Sequence, residues 1–65
     1  MNDPLSDEEN AVVVLVAEGL TNLEIARRLE ISEQNVAGHL SRILRKLGFR
    51  NRVQVAVWAV KQGLY

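Results

Sequence analysis

Sixty-five residues with 48% hydrophobic content describe one small domain, residues 1–65, able to bury roughly 60% of its unfolded surface. The absence of cysteine excludes a disulfide framework and cysteine-ligated zinc, and it suits a reducing cytoplasm. The longest apolar run, Ala11 to Ala17, spans seven residues, far short of the roughly 20 that a membrane span needs. The acidic opening MNDPLSDEE does not read as a signal peptide. Eight Lys and Arg balance eight Asp and Glu, but the balance hides a segregation: all the acids lie at or before Glu33, and six of the cations lie at or after Arg42. Cut after Glu33, the chain divides into a part of charge −6 and a part of charge +6.

The predicted elements are four helices, with Pro4 marking the start of a folded part from about 5 to 64. Ser6 and Glu9 form a capping box, acids fill the first turn and Gly19 follows the end, which predicts a helix from Asp7 to Glu18. Its VVVLV run is rich in β-branched residues and by itself also suits a buried strand. The bracketing caps and the lack of a second strand to pair with favour the helix. Thr21 and Glu24 form a second capping box, opening a helix to about Leu29 that turns Ile25, Ala26 and Leu29 inward and lets Glu24 reach Arg28. The link Glu30 and Ile31 allows only a sharp corner, and Ser32 caps a third helix over about 33–47, ended by Gly48. Two helices joined so tightly are a helix-turn-helix. Asn51 caps a fourth helix, about 52–62, closed by Gly63. The predicted fold class is therefore all-α, a four-helix bundle with a central helix-turn-helix.

The third helix separates into two faces when each residue is advanced by 100 degrees. Val36, Leu40, Ile43 and Leu47, with Leu44 at the margin, form a stripe for the core. Opposite lie Gln34, Ala37, Gly38, Ser41 and Arg45, a narrow and polar face that suits a major groove about 12 Å wide. Arg42 and Lys46 lie on the flank, where phosphates would run. Affinity for DNA that ignores sequence comes from local neutralisation of phosphates, so a basic face matters more than a zero sum.

At these residues the chain resembles the LuxR-type (LuxR/GerE) helix-turn-helix family of bacterial regulators, over roughly Leu5 to Leu64. The likeness rests on Leu5, Ser6 and Glu9; Gly19 and Leu20; Glu24, Ile25, Ala26 and Leu29; Ile31 and Ser32; Val36 and His39; Ile43, Lys46, Leu47 and Gly48; and Arg52. The combination is specific, although each element alone is weak. The resemblance implies a third helix in the major groove, a second helix supporting it across the backbone and a fourth that pairs with a second copy. Its base-contacting positions fall on Ala37, Gly38 and Ser41, where many members carry Lys, and the family's common Thr before Val36 is Asn35 here. Direct readout then falls to Gln34, Ser41 and Arg45, with Ala37 available to a thymine methyl. Gly38 costs about 1 kcal/mol relative to Ala inside a helix, which fits either close approach of the helix backbone to DNA or simple drift. Glu30 stands where helix-turn-helix proteins often carry Gly, implying mild strain.

Phosphate contacts are assigned to Ser32, Asn35, His39, Arg42, Lys46 and Arg50. Arg52 stands apart, because Glu9 could hold it for structure. Arg27 and Arg28 read equally well as a solvated face. With no second His and no Cys, His39 suits packing or a phosphate better than catalysis or a metal. Ser6 and Ser32 are caps and not nucleophiles. No enzymatic activity, cofactor, metal or small-molecule ligand is expected. In the fourth helix only Gln54 is polar from Val53 to Val60. With Arg52, Val55 and Ala59 facing the core, the residues Val53, Ala56, Val57 and Val60 remain for a second buried surface, read as a homodimer interface. The expected function is sequence-specific binding of double-stranded DNA in transcription regulation, with modest specificity and RNA polymerase as a further candidate partner. The alternatives are a protein-interaction module that dimerises with other regulators and a sigma-factor-like region; His39 and the apolar fourth helix favour the LuxR-type reading over the latter.

Overall fold

The computed structural model describes residues 5–64. Pro4, read above as the start of the folded part, lies outside them. Among the described residues there are four helices, α1 (Asp7–Ala17), α2 (Asn22–Leu29), α3 (Glu33–Leu47) and α4 (Arg52–Lys61), and no strand. None is long and apolar enough to cross a membrane.

Local capping explains where each helix begins. Ser6 Oγ accepts from the Glu9 N–H and Glu9 Oε1 accepts from the Ser6 N–H, at 3.1 and 2.9 Å. Thr21 and Glu24 repeat the arrangement at 3.2 and 2.8 Å. That box takes the Glu24 carboxylate to its own cap, away from the turn-to-turn pair with Arg28 that the spacing suggested. The cap and the nearby Arg27 and Arg28 charges hold this carboxyl below its ordinary value. Ser32 and Asn51 cap α3 and α4 by accepting from the N–H groups of Asn35 and Gln54.

The VVVLV ambiguity is resolved by position. α1 packs against all three other helices, and Val12, Val13, Leu15 and Val16 are all buried. A helix surrounded on several sides has no polar stripe, so its sequence lacks the 3.6-residue signature. Ile25 and Ala26 from α2, Val36, Leu40 and Ile43 from α3, and Val55 and Ala59 from α4 complete the core. The α2–α3 corner is made by Glu30 at φ 60°, ψ 42°, the one non-glycine residue with positive φ among those described. A side chain in this left-handed region costs roughly 1–2 kcal/mol, and the corner returns hydrogen bonds from the Glu30 and Ile31 N–H groups to the Ala26 carbonyl.

Two polar clamps fix the helices relative to one another, and they differ from the pairing considered above. Glu9 does not hold Arg52. It is the buried charged residue of the core, 3% exposed, and its Oε1 receives Lys46 Nζ at 2.8 Å while Oε2 faces Arg42 Nε at 3.7 Å. Arg52 instead donates to Asn22 Oδ1 and to the Leu20 carbonyl, both at 2.8 Å. The start of α1 thus meets the C-terminal half of α3, and the start of α4 meets the α1–α2 turn.

The Lys46 hydrogen bond, followed by the Ser6 N–H, holds the Glu9 carboxyl below its ordinary value of 4.5, against the opposing effect of burial. A depressed folded value means stability present above about pH 4.5 and lost as the pH falls through the lower folded value. Glu9→Gln is therefore expected to cost about 1–3 kcal/mol at neutral pH, as for loss of charge-assisted hydrogen bonds. Thermal unfolding near pH 7 and near pH 3 should show the variant's deficit shrinking on acidification. A deficit unchanged by pH would count against the clamp.

Candidate nucleic-acid interface

α3 is the longest helix described, 15 residues, or about 22 Å at 1.5 Å per residue. Its stripe of Val36, Leu40 and Ile43 is buried, with Leu44 and Leu47 half-buried beside it. The opposite face is open: Gln34, Ala37, Ser41 and Arg45 are exposed and Gly38 is half-buried. The helix is held by its core stripe, by the corner at Glu30 and by Glu9. Its outer face is free to meet a partner.

The assigned phosphate residues divide into two groups. Ser32 and Asn35 lie at the exposed start of α3, where the Ser32 hydroxyl already accepts from the Asn35 N–H at 3.0 Å. Arg50 lies exposed beyond the end of α3, its backbone N–H donating to Gln54 Oε1. Neither Arg45 nor Arg50 has its side chain held by an ion pair or hydrogen bond among the described residues. By contrast, His39, Arg42 and Lys46 are all engaged by α1. His39 Nε2 is 3.0 Å from Glu8 Oε1, Arg42 Nη2 is 2.9 Å from His39 Nδ1, and Lys46 closes on Glu9. Arg42, Arg45 and Lys46 together line an open depression of about 250 Å³.

Glu8 and Glu9 are the residues that sequence reasoning left out of this face. Reading the acids and bases as two separate blocks hid the fact that the fold lays one on the other. On the α1 side of α3, the single Glu9 carboxylate answers both Lys46 and Arg42 while Glu8 answers His39, so among the described residues the cations of α3 and its end left without an acidic partner are Arg45 and Arg50, with exposed Arg27 and Arg28 on α2. From the sequence, Glu9 was considered only as a structural partner for Arg52; in the fold it meets Lys46 and Arg42.

On α4, Val55 and Ala59 are buried and Arg52 is half-buried. Val53, Val57 and Val60 are 67, 49 and 58% exposed, with Ala56 half-buried next to them. Val53 and Val57 also border a groove of about 390 Å³ completed by Phe49, Gln54, Trp58 and Lys61. The two aromatic residues of this groove were not singled out from the sequence. An apolar surface of this kind marks an interaction site more often than a solvated face.

Comparison with known proteins places the whole arrangement. The family model described as bacterial regulatory proteins, luxR family, matches residues 3–59. The chain is 45% identical over 62 residues to the DNA-binding transcriptional activator DevR/DosR of Mycobacterium tuberculosis, covering 91% of this chain and 29% of that protein. It is 38% identical over 61 residues to the nitrate/nitrite response regulator protein NarL of Escherichia coli, covering 94% of this chain and 28% of that protein. The chain thus spans less than a third of the length of these curated relatives. Among solved structures, the transcription factor GerE superposes with a TM-score of 0.85 at 27% identity, over 97% of this chain and 94% of that one. With its helix-turn-helix geometry and this match over most of its length, the chain belongs to the luxR family of bacterial regulatory proteins.

Proposed function

We propose that the chain binds double-stranded DNA in transcription regulation, in the cytoplasm, with α3 in the major groove and α2 lying across the backbone. The observation that carries this reading is the open face of α3, Gln34, Ala37, Gly38, Ser41 and Arg45, set directly opposite its buried stripe and bordered by cations. DevR/DosR, described as a DNA-binding activator, supports the same reading by likeness. Gln34, Ser41 and Arg45 supply the donors and acceptors for base edges, and Ala37 a methyl contact. Gly38 lets the helix backbone come close. Ser32, Asn35, Arg42, Lys46 and Arg50 meet phosphates, and His39 stands behind Arg42 on that flank.

Duplex affinity should fall steeply as salt rises. Arg45→Ala, Arg50→Ala and Lys46→Ala should each flatten the dependence of log K on log salt by about 1. Only Lys46→Ala should also destabilise the free protein, by about 1–3 kcal/mol, because it leaves buried Glu9 short of a partner. Titrations at several salt concentrations with parallel thermal unfolding measure both quantities. An unchanged slope for Arg45→Ala removes that residue from the contacts.

The same reading makes the protein a two-fold dimer through Val53, Ala56, Val57 and Val60, which sets two reading helices about one DNA turn apart. RNA polymerase is a further partner in this scheme. Val57→Asp places a charge in the middle of the apolar face and should shift sedimentation equilibrium to monomer, leaving the helical fold intact by circular dichroism. Wild-type protein that stays monomeric at high concentration, with and without DNA, contradicts the dimer.

A further inference from the structure

His39 occupies an unusual place for a residue on a DNA-facing flank. Its side chain is only 14% exposed, and both ring nitrogens are engaged within the protein. Nε2 lies 3.0 Å from a carboxylate oxygen of Glu8 and Nδ1 lies 2.9 Å from Arg42 Nη2. A carboxylate only accepts and a guanidinium only donates. The pair therefore selects one form of the ring, neutral, with the proton on Nε2 and the lone pair of Nδ1 turned to Arg42. Arg42 follows His39 by three positions, so the two share one side of the helix. The guanidinium folds back over the preceding turn, where its Nη1 lies 3.9 Å from the place a Cβ on Gly38 would occupy. On its other side, Nε faces Glu9 Oε2 at 3.7 Å.

We propose that His39 is a positioning residue: as the neutral Nε2–H form it holds the Arg42 guanidinium beside Gly38, ready for a DNA phosphate, and gaining a proton on Nδ1 releases it. The inference rests on the phosphate role given to Arg42 above. Protonation changes Nδ1 from acceptor to donor and brings two cations face to face, so the contact with Arg42 cannot persist. The bond from Nε2 to Glu8 survives and gains charge assistance. The charged groups facing the ring are Glu8 from α1 and Arg42 from its own helix, with Glu9 and Lys46 reached through Arg42. Among the described residues, α2 and α4 supply no ion pair or hydrogen bond to it. Imidazole is the side chain whose charge ordinarily changes between about pH 5 and 8.

The test is a double-mutant cycle on affinity for a fixed mixed-sequence duplex at low salt, run at the two ends of that range, with side-chain NMR of the free protein. At the alkaline end His39→Ala and Arg42→Ala should each weaken binding about two- to tenfold, the scale of ordering one long side chain. The double variant should be no weaker than Arg42→Ala alone. His39→Asn, whose Oδ1 stands near the place of Nδ1 and does not titrate, should restore the wild-type affinity and keep it at acid pH. In wild type the advantage over Arg42→Ala should shrink toward onefold on acidification, while the Arg42 side-chain resonances move with the titration of His39. Additive effects, an advantage over Arg42→Ala that ignores pH, or Arg42 resonances indifferent to His39 overturn the proposal. Failure of wild type to bind any duplex removes the functional reading and, with it, the phosphate role of Arg42, whereas the hold of His39 on Arg42 is read separately from their coupled resonances in the free protein; loss of that coupling overturns the positioning role whether or not DNA binds.

Discussion

Glu9 links three levels of this structure. At the first, it is the third residue of α1 and closes the capping box with Ser6 that starts the helix. At the second, its 3% exposure places a carboxylate inside a core that otherwise consists of aliphatic side chains, where an unpaired charge would be severely penalised. At the third, the charge is answered by Lys46 and Arg42 from the far part of α3. Breaking such a pair costs more than forming it gains, since removing one partner leaves the other desolvated. The angle at which α3 leaves the core therefore depends on this acid as well as on Val36, Leu40 and Ile43.

That dependence changes how the charge of the chain bears on its function. Six cations from Arg42 onward and no acid after Glu33 suggest a strongly basic half. Folding lays the acidic start of α1 along one flank of α3, so that Glu8 and Glu9 face His39, Arg42 and Lys46. In a complex with DNA, phosphates would share these cations with the carboxylates. Among the described residues, Arg45 and Arg50 are left on α3 and just beyond its end as cations whose side chains have no ion pair or hydrogen bond. Together with a face built from Ala37, Gly38 and Ser41, this describes a helix of limited grip on its own, for which the proposed pairing with a second copy through the valines of α4 would compensate.

Much of the fold was legible because its determinants are local. Ser6, Thr21, Ser32 and Asn51 each cap a helix by bonding a backbone group three residues away, and Gly48 ends α3 in the left-handed region. The amphipathic pattern of α3 identified both its buried and its open face. Glu30 was marked as a strained substitute for Gly, and its φ of 60° accords with that. What sequence could not supply lies at long range. The partner of Glu9 is 37 residues away, and those of Arg52 are 30 and 32 residues away. Helical periodicity carries no information about which ends of two helices meet. The same limit applies to α1, whose apolar run became unambiguous only through the three helices packed around it.

If, as proposed, α3 reads DNA with few donors and two copies act as a pair, the selected sites should carry a characteristic record. Selection of bound duplexes from a random pool is the most direct measurement. The account predicts weakly specified half-sites in two copies, their centres about 10 base pairs apart. Salt-sensitive binding with no enriched sequence, or no binding at all, would contradict it and favour a protein-interaction role for the same fold.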